Sequence, residues 1–274
     1  MQQMEKPASL IQGAYGALIS ADLDRKVELT RLTAGLWKSR KISLSAGKRI
    51  SPPSRPGRPD KPELLPPAKV PKRSLSSLRG RKALVHAIAH IELNAIDLAL
   101  DIVVRFADQK VPRSFFDGWM KVAEEEAKHF SLLRKRLEAF EMEYGDLPAH
   151  DGLWEAAGDT DHDINARLAI VPLVLEARGL DVTPPLIDKL RAVGDHETAD
   201  IFEIIYEDEK GHVAVGAKWF RFQCNRSGLD PAETFRTLVR EHFRGHLKPP
   251  FNDKARSSNG LTPLFYRNLS SQGN

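Results

Sequence analysis

Two copies of one constellation in this chain have the residue types and spacing to hold metal. Each copy is a lone glutamate followed by a Glu-x-x-His: Glu92 with Glu126 and His129 in EEEAKHF, and Glu176 with Glu209 and His212 in EDEKGHV. The lone glutamate leads by 34 positions in the first copy and 33 in the second, and the copies are offset by 84. Residues i and i+3 share one face of a helix, so each Glu-x-x-His aims both side chains at one point. Four carboxylates and two imidazoles converging in a bundle core form the ligand set of a carboxylate-bridged dimetal site.

A single Glu-x-x-His would mean little in a chain with 37 acidic residues. Two of them, each in phase with a lone glutamate on an apolar helix, are hard to reach by coincidence. Buried carboxylates also cost several kcal/mol unless a cation or hydrogen bonds compensate them. The assignment gives Glu92, Glu126 and His129 to one metal and Glu176, Glu209 and His212 to the other, with some glutamates bridging. Glu124 and Glu125 adjoin Glu126, and Glu207 and Asp208 adjoin Glu209, but only Glu126 and Glu209 stand three before a histidine. Oxygen-rich ligands with two imidazoles suit two iron ions, with manganese as the alternative.

Other polar residues near these positions have weaker claims. His86, nearly two turns before Glu92, is a candidate to hydrogen-bond a ligand, and His90 points away from Glu92; for both, a satisfied structural histidine is the better reading. Tyr206 stands three before Glu209 and serves either as a hydrogen-bond partner of a ligand or as a core residue. Asp208, Arg178 and Asp195 are candidates to orient ligands. Trp119, Phe202 and Trp219 are spaced as core.

These ligands require helices. Residues 77–105 are strong helix formers with an apolar stripe, carrying Glu92, and Phe115–Glu143 resumes after Pro112 with Ser114 as N-cap. Residues 144–161, rich in Gly, Pro and Asp, read as a long irregular crossover. His162–Arg178 forms the third helix, kinked near Pro172 and stopped at Gly179. Thr183-Pro184-Pro185 opens a short helix to Val193, Glu197–Arg226 is the fourth, and Pro231–Arg244 is one more. The fold class is all-α, a four-helix bundle with a long crossover. Its organisation is an N-terminal helical extension (1–50), a Pro-rich basic strap (51–75), the dimetal bundle (76–245) and an irregular tail (246–274).

At 274 residues, with 41% hydrophobic and 28% charged residues, the chain is long enough to bury a substantial core. No apolar run approaches the roughly 20 residues that span a bilayer. The N-terminus lacks the basic-then-apolar pattern of a secretory signal, so the expected location is cytoplasmic. Cys224 is the only cysteine, which excludes an internal disulfide, a cysteine-based zinc site and a rubredoxin-type iron centre. Net charge is +4, and the excess lies in residues 38–82, where Lys48, Arg49, Arg55, Arg58, Lys72 and others face only Asp60 and Glu63. Such a run either contacts phosphates or wraps over the chain's own acidic surface.

The stretches HAIAHIELNAIDLALD, EEEAKHF, VPLVLEARGLDVTP and EDEKGHVAVG, together with LPAHDGLW and PGRPDKPELLPP, resemble a bacterial family within the ferritin-like superfamily. The similarity covers most of the chain, and all six ligand positions fit the pattern. That family is often grouped with the di-iron hydroxylase of 2-methylthio-isopentenyladenosine in tRNA. The resemblance implies a ferritin-like bundle and a non-haem di-iron oxidoreductase. Its partners would be O2, an unidentified substrate, an electron-donor protein and, by that grouping, tRNA. A ferroxidase or iron-handling protein, and a metal-stabilised binding protein without catalysis, are the competing readings. The long N-terminal region and the extra C-terminal segment argue for a monomer or small oligomer over a storage cage.

Overall fold

The structure, a computed structural model, describes residues 5–45, 50–71 and 73–269. Lys48, Arg49 and Lys72 of the basic run, and the ends of the N-terminal extension and the tail, lie outside the described residues. Helix is the only regular element among the described residues, as the apolar periodicities predict; isolated bridges join Ser9 to Ser43 and Leu64 to Ala149. The chain forms two compact units, Met1–Trp154 and Glu155–Asn274. The boundary falls inside the segment read as one bundle.

In the first unit α1 (Leu10–Leu18), α2 (Leu23–Lys38), α3 (Leu78–Arg105) and α4 (Arg113–Ala139) pack together: α3 on α4, α1 on α2 and α3, and α2 on α4. The N-terminal helices are therefore part of this unit's core. Side-chain caps start three of them, with Ser9, Asp22 and Ser77 accepting from backbone N–H groups of the first turn. α4 differs from expectation. It begins at Arg113 after Pro112 rather than behind a Ser114 cap, and the Arg113 guanidinium lies 3.3 Å above the Trp37 ring. That cation–π contact anchors the first turn from a helix 76 residues away, which no local signal announces.

From Glu92 to Val104 every residue of α3 is buried, so this helix is enclosed on all sides. Its interior polar groups each find partners. Asp97 accepts from Lys26 Nζ at 2.5 Å, and Lys26 also donates to the Leu18 carbonyl. Arg58, on the strap, donates to Asp151 at 2.6 Å and to Asn94 at 2.5 Å, with Arg55 also on Asp151. Asp101 is held by Arg105, which reaches on to the Pro53 carbonyl. These strap arginines thus cover the chain's own carboxylates.

The boundary at Trp154 falls inside α5 (Gly152–Gly158); in the second unit α6 (Ile164–Ile170), a π-helical turn (Val171–Glu176) and α7 (Ala177–Ala192) run on continuously. α8 (His196–Arg226) packs against α6, the π turn and α7. α9 (Pro231–His242), α10 (Asp253–Ser258) and α11 (Pro263–Tyr266) complete it. Pro172 does distort its helix, as a wide π turn. Gly179 does not stop α7, and Pro184 and Pro185 lie inside it rather than opening a new helix. Pro184 has no N–H for the Leu180 carbonyl; the Asn252 amide supplies it instead, at 3.2 Å. The stretch expected to be irregular, 144–161, contains α5, and the tail expected to be irregular contains α10 and α11. Their signal is tertiary: Arg256 bonds Asp181 through Nε at 2.8 Å and Nη2 at 2.6 Å. The same guanidinium lies near the Phe251 and Tyr266 rings.

Candidate metal centre

The first triad is assembled within the first unit. Glu92 projects from the enclosed part of α3, and Glu126 and His129 from the apolar face of α4, between Trp119 and Leu133. Glu92 is 3% exposed, and Glu126 and His129 are fully buried. His129 Nδ1 stands 3.1 Å from Glu92 Oε2 and 3.3 Å from Glu126 Oε2. One ligand atom from each of the three lies within 4.8 Å of the others. Two ligands on one ion at about 2.1 Å are separated by about 3.0 Å if octahedral and by somewhat more if tetrahedral, so these spacings fit a shared cation.

The electrostatics point the same way. Burial and the neighbouring Glu126 carboxylate push the Glu92 carboxyl well above its ordinary range, although the His129 hydrogen bond opposes them. Burial by itself would lower the His129 imidazolium, yet hydrogen bonds and charge attraction from Glu126 and Glu92 raise it to about 11. Two carboxylates in a dry pocket thus draw positive charge to the point where the imidazole sits. A metal ion would supply that charge while leaving His129 neutral as a ligand.

The second triad lies in the second unit. Glu209 and His212 share one face of α8, with Nδ1 3.7 Å from Glu209 Oε2; His212 is fully buried and Glu209 12% exposed. Glu176, half-buried, ends the π turn, which packs on α8. Pro172 and Gly216 set the spacing of these elements. A Cβ on Gly216 would lie 2.5 Å from Pro172 Cβ, so only glycine lets α8 come this close. Gly216 is one turn after His212, and Pro172 one turn before Glu176.

The chain matches, over residues 19–267, the family described as "Protein of unknown function (DUF455)". It belongs to that family. A relative from Haemophilus influenzae (strain ATCC 51907 / DSM 11121 / KW20 / Rd), described as an uncharacterized protein, is 44% identical over 209 residues, 74% of this chain and 73% of the relative. No solved structure matches the chain.

Within this DUF455 member the neighbouring polar residues also find their places. His86 and His90 are structural: His86 Nε2 accepts from the Gly145 N–H at 3.0 Å, and His90 bonds Tyr144 Oη at 2.8 Å. Both rings stack on Tyr144. Burial lowers each imidazolium to about 4. Tyr206 accepts from Asn252 Nδ2, and Arg178 bonds Asp181 and the carbonyls of Lys248 and Pro250, so both tie down the C-terminal segment. Asp195 caps α8 through the Thr198 N–H. Trp119, Phe202 and Trp219 are core. The buried Lys26–Asp97 pair and its link to Arg58 escaped the sequence reading; their signal was Asn94 and Asp97 inside an otherwise apolar helix.

Proposed function

We propose that the chain is a ferritin-like, non-haem di-iron oxidoreductase, with Glu92, Glu126 and His129 as one half of a carboxylate-bridged centre and Glu176, Glu209 and His212 as the other. The observation that carries this reading is the buried trio of Glu92, Glu126 and His129, two carboxylates and an imidazole within ligand distance of one another. The in-phase repeat of the same residue types supports extending it to six ligands. A pair of irons so bound would supply the electrons that activate O2 for attack on a substrate C–H bond. The chain's own contribution is to bury Glu92, Glu126, His129 and His212 and to fix them on the long helices α3, α4 and α8. Nδ1 of His129 is the nitrogen that faces the Glu92 and Glu126 oxygens, so it is the one that would meet the ion.

The partners of this reading are O2, an electron donor and an organic substrate, with modified tRNA among those to screen. No described helix is long and apolar enough to cross a membrane, and the reading places the protein in the cytoplasm. The test is metal content and the optical spectrum of protein from iron-supplemented cells, prepared without O2 and then oxygenated. Two irons per chain and a near-ultraviolet band that develops with O2 are expected, with both lost in folded E92A and E176A. Stoichiometric zinc, or a well-folded protein that takes up no metal, would refute it.

A further inference from the structure

Within the second unit α6 packs on α9, and this packing brings together two histidines 80 positions apart. His162 stands just before Asp163, the N-cap of α6, and His242 is the last residue of α9. Their ring centroids are 5.5 Å apart and the planes are tilted by 54°. Arg244 Nη2 lies 3.5 Å from Asp159 Oδ2, which ties the chain beyond α9 to the chain before α6.

Both rings are uncommitted. His86, His90 and His129 each bond a neighbour, but neither His162 nor His242 is hydrogen-bonded to any described residue. Each instead faces the carboxylate of the residue before it. Asp161 Oδ1 is 4.0 Å from His162 Nδ1, and Glu241 Oε2 is 4.0 Å from His242 Nε2. That is too long for a hydrogen bond, yet it surrounds two imidazoles with negative charge. The C-terminal end of α9 adds to it through the helix dipole, so the place favours a cation. It is also open to one: the side chain of His162 is 62% exposed and that of His242 19%.

The spacing of the rings fits a shared ion. Two imidazoles on one tetrahedral zinc, with Zn–N of about 2.0–2.1 Å and each ring centre about 1.1 Å beyond its nitrogen, have centroids about 5.2 Å apart. The 5.5 Å found here differs by no more than a small rotation of an exposed ring. The 54° tilt is not that of a stacked pair. Either carboxylate can swing in as a third ligand at little cost, because both side chains are about half exposed or more.

We propose that His162 and His242 bind a divalent transition-metal ion of the zinc type, with Asp161 or Glu241 and water completing a tetrahedron. Two imidazoles select such an ion over calcium and magnesium, which take oxygen ligands. The bound ion fastens the entry of α6 to the end of α9. The site is separate from the buried triads and stands or falls without the di-iron reading.

The test is calorimetric titration of the full chain with zinc chloride in chelator-free buffer, repeated with millimolar calcium present. The buried ligands can also take zinc, so the surface ion is counted by difference. The parent should bind one more zinc than H162Q or H242Q, and E92A one more than E92A/H162Q. Loss of either imidazole should weaken the surface ion by about tenfold or more, and D161N or E241Q by less. H196Q, which removes an exposed histidine at the start of α8, should change nothing. Equal zinc counts with and without His162 in both backgrounds, displacement of the surface ion by calcium, or an H196Q loss as large as that of H162Q overturns the proposal. H162Q, at the more exposed ring, decides even if H242Q folds poorly.

Discussion

Replacing Gly216 by alanine tests how the second triad is positioned. In an exposed helix the substitution would gain up to about 1 kcal/mol, because glycine is the poorer helix former. Here the new Cβ would sit 2.5 Å from Pro172 Cβ and 2.7 Å from its Cγ. Ordinary carbon contacts begin near 3.5 Å, so α8 and the π turn must separate by about 1 Å. The proline ring cannot rotate away, and Leu173 Cδ2 is also close, at 3.4 Å. Overpacking of this kind costs about 1–3 kcal/mol, which outweighs the propensity gain, so G216A should be less stable by about 1–2 kcal/mol. With a urea slope of about 2 kcal/mol/M, the midpoint falls by about 0.5–1 M. Because the contact lies one turn from both His212 and Glu176, metal content should fall with stability. Gly179 supplies the contrast: its Cβ would meet nothing within 4 Å. G179A in α7 should therefore be neutral or stabilising, by up to about 1 kcal/mol. If urea unfolding found G216A as stable as the parent with its metal intact, the account of Gly216 would be wrong.

Three further outcomes follow from the same geometry. His86 and His90 have folded values depressed to about 4 against an ordinary 6.5. Their contribution is therefore complete above pH 6.5 and is lost as pH falls toward 4. Stability from urea titrations should drop by a few kcal/mol between about pH 7 and pH 4.5 if both retain their burial, and a flat profile would contradict it. Lys26→Met should cost about 3 kcal/mol by leaving the buried Asp97 only Arg58 Nε, at 3.8 Å, to offset its charge, while the double variant K26M/D97L should recover much of that loss in the same assay. Glu92→Gln removes one of two adjacent buried carboxylates. Metal-free E92Q should be at least as stable as the metal-free parent in thermal unfolding, while its metal content falls; a large loss of apo stability would mark Glu92 as structural.

The ligand-bearing helices were legible because their rules are local. Apolar periodicity and good helix formers predict α3, α4 and α8 to within a few residues, and the i, i+3 spacing alone puts Glu126 with His129 and Glu209 with His212 on common faces. Pro172 likewise announces a distortion, since a missing N–H breaks the ladder wherever the chain goes. The all-helical class followed from the absence of any period-two segment. Membership of the DUF455 family adds no activity to these residues.

What the sequence could not decide were the places where a distant group changes a local cost. Gly179 and the Pro184–Pro185 pair read as a stop and a new start, yet α7 passes through both. Nothing crowds a Gly179 Cβ, and the Asn252 amide, 72 residues from Leu180, takes the carbonyl that Pro184 leaves free. α4 begins two residues early, at Arg113, whose guanidinium lies over the Trp37 ring. The arginines of the strap read equally well as a phosphate-binding run until Arg58 is found on Asn94 and Asp151, and the tail folds because Asp181 holds Arg256. Helical period and spacing act over a few residues and are written in the sequence. Caps, ion pairs and close approaches such as Gly216 on Pro172 act through space, and only the tertiary structure brings their partners together.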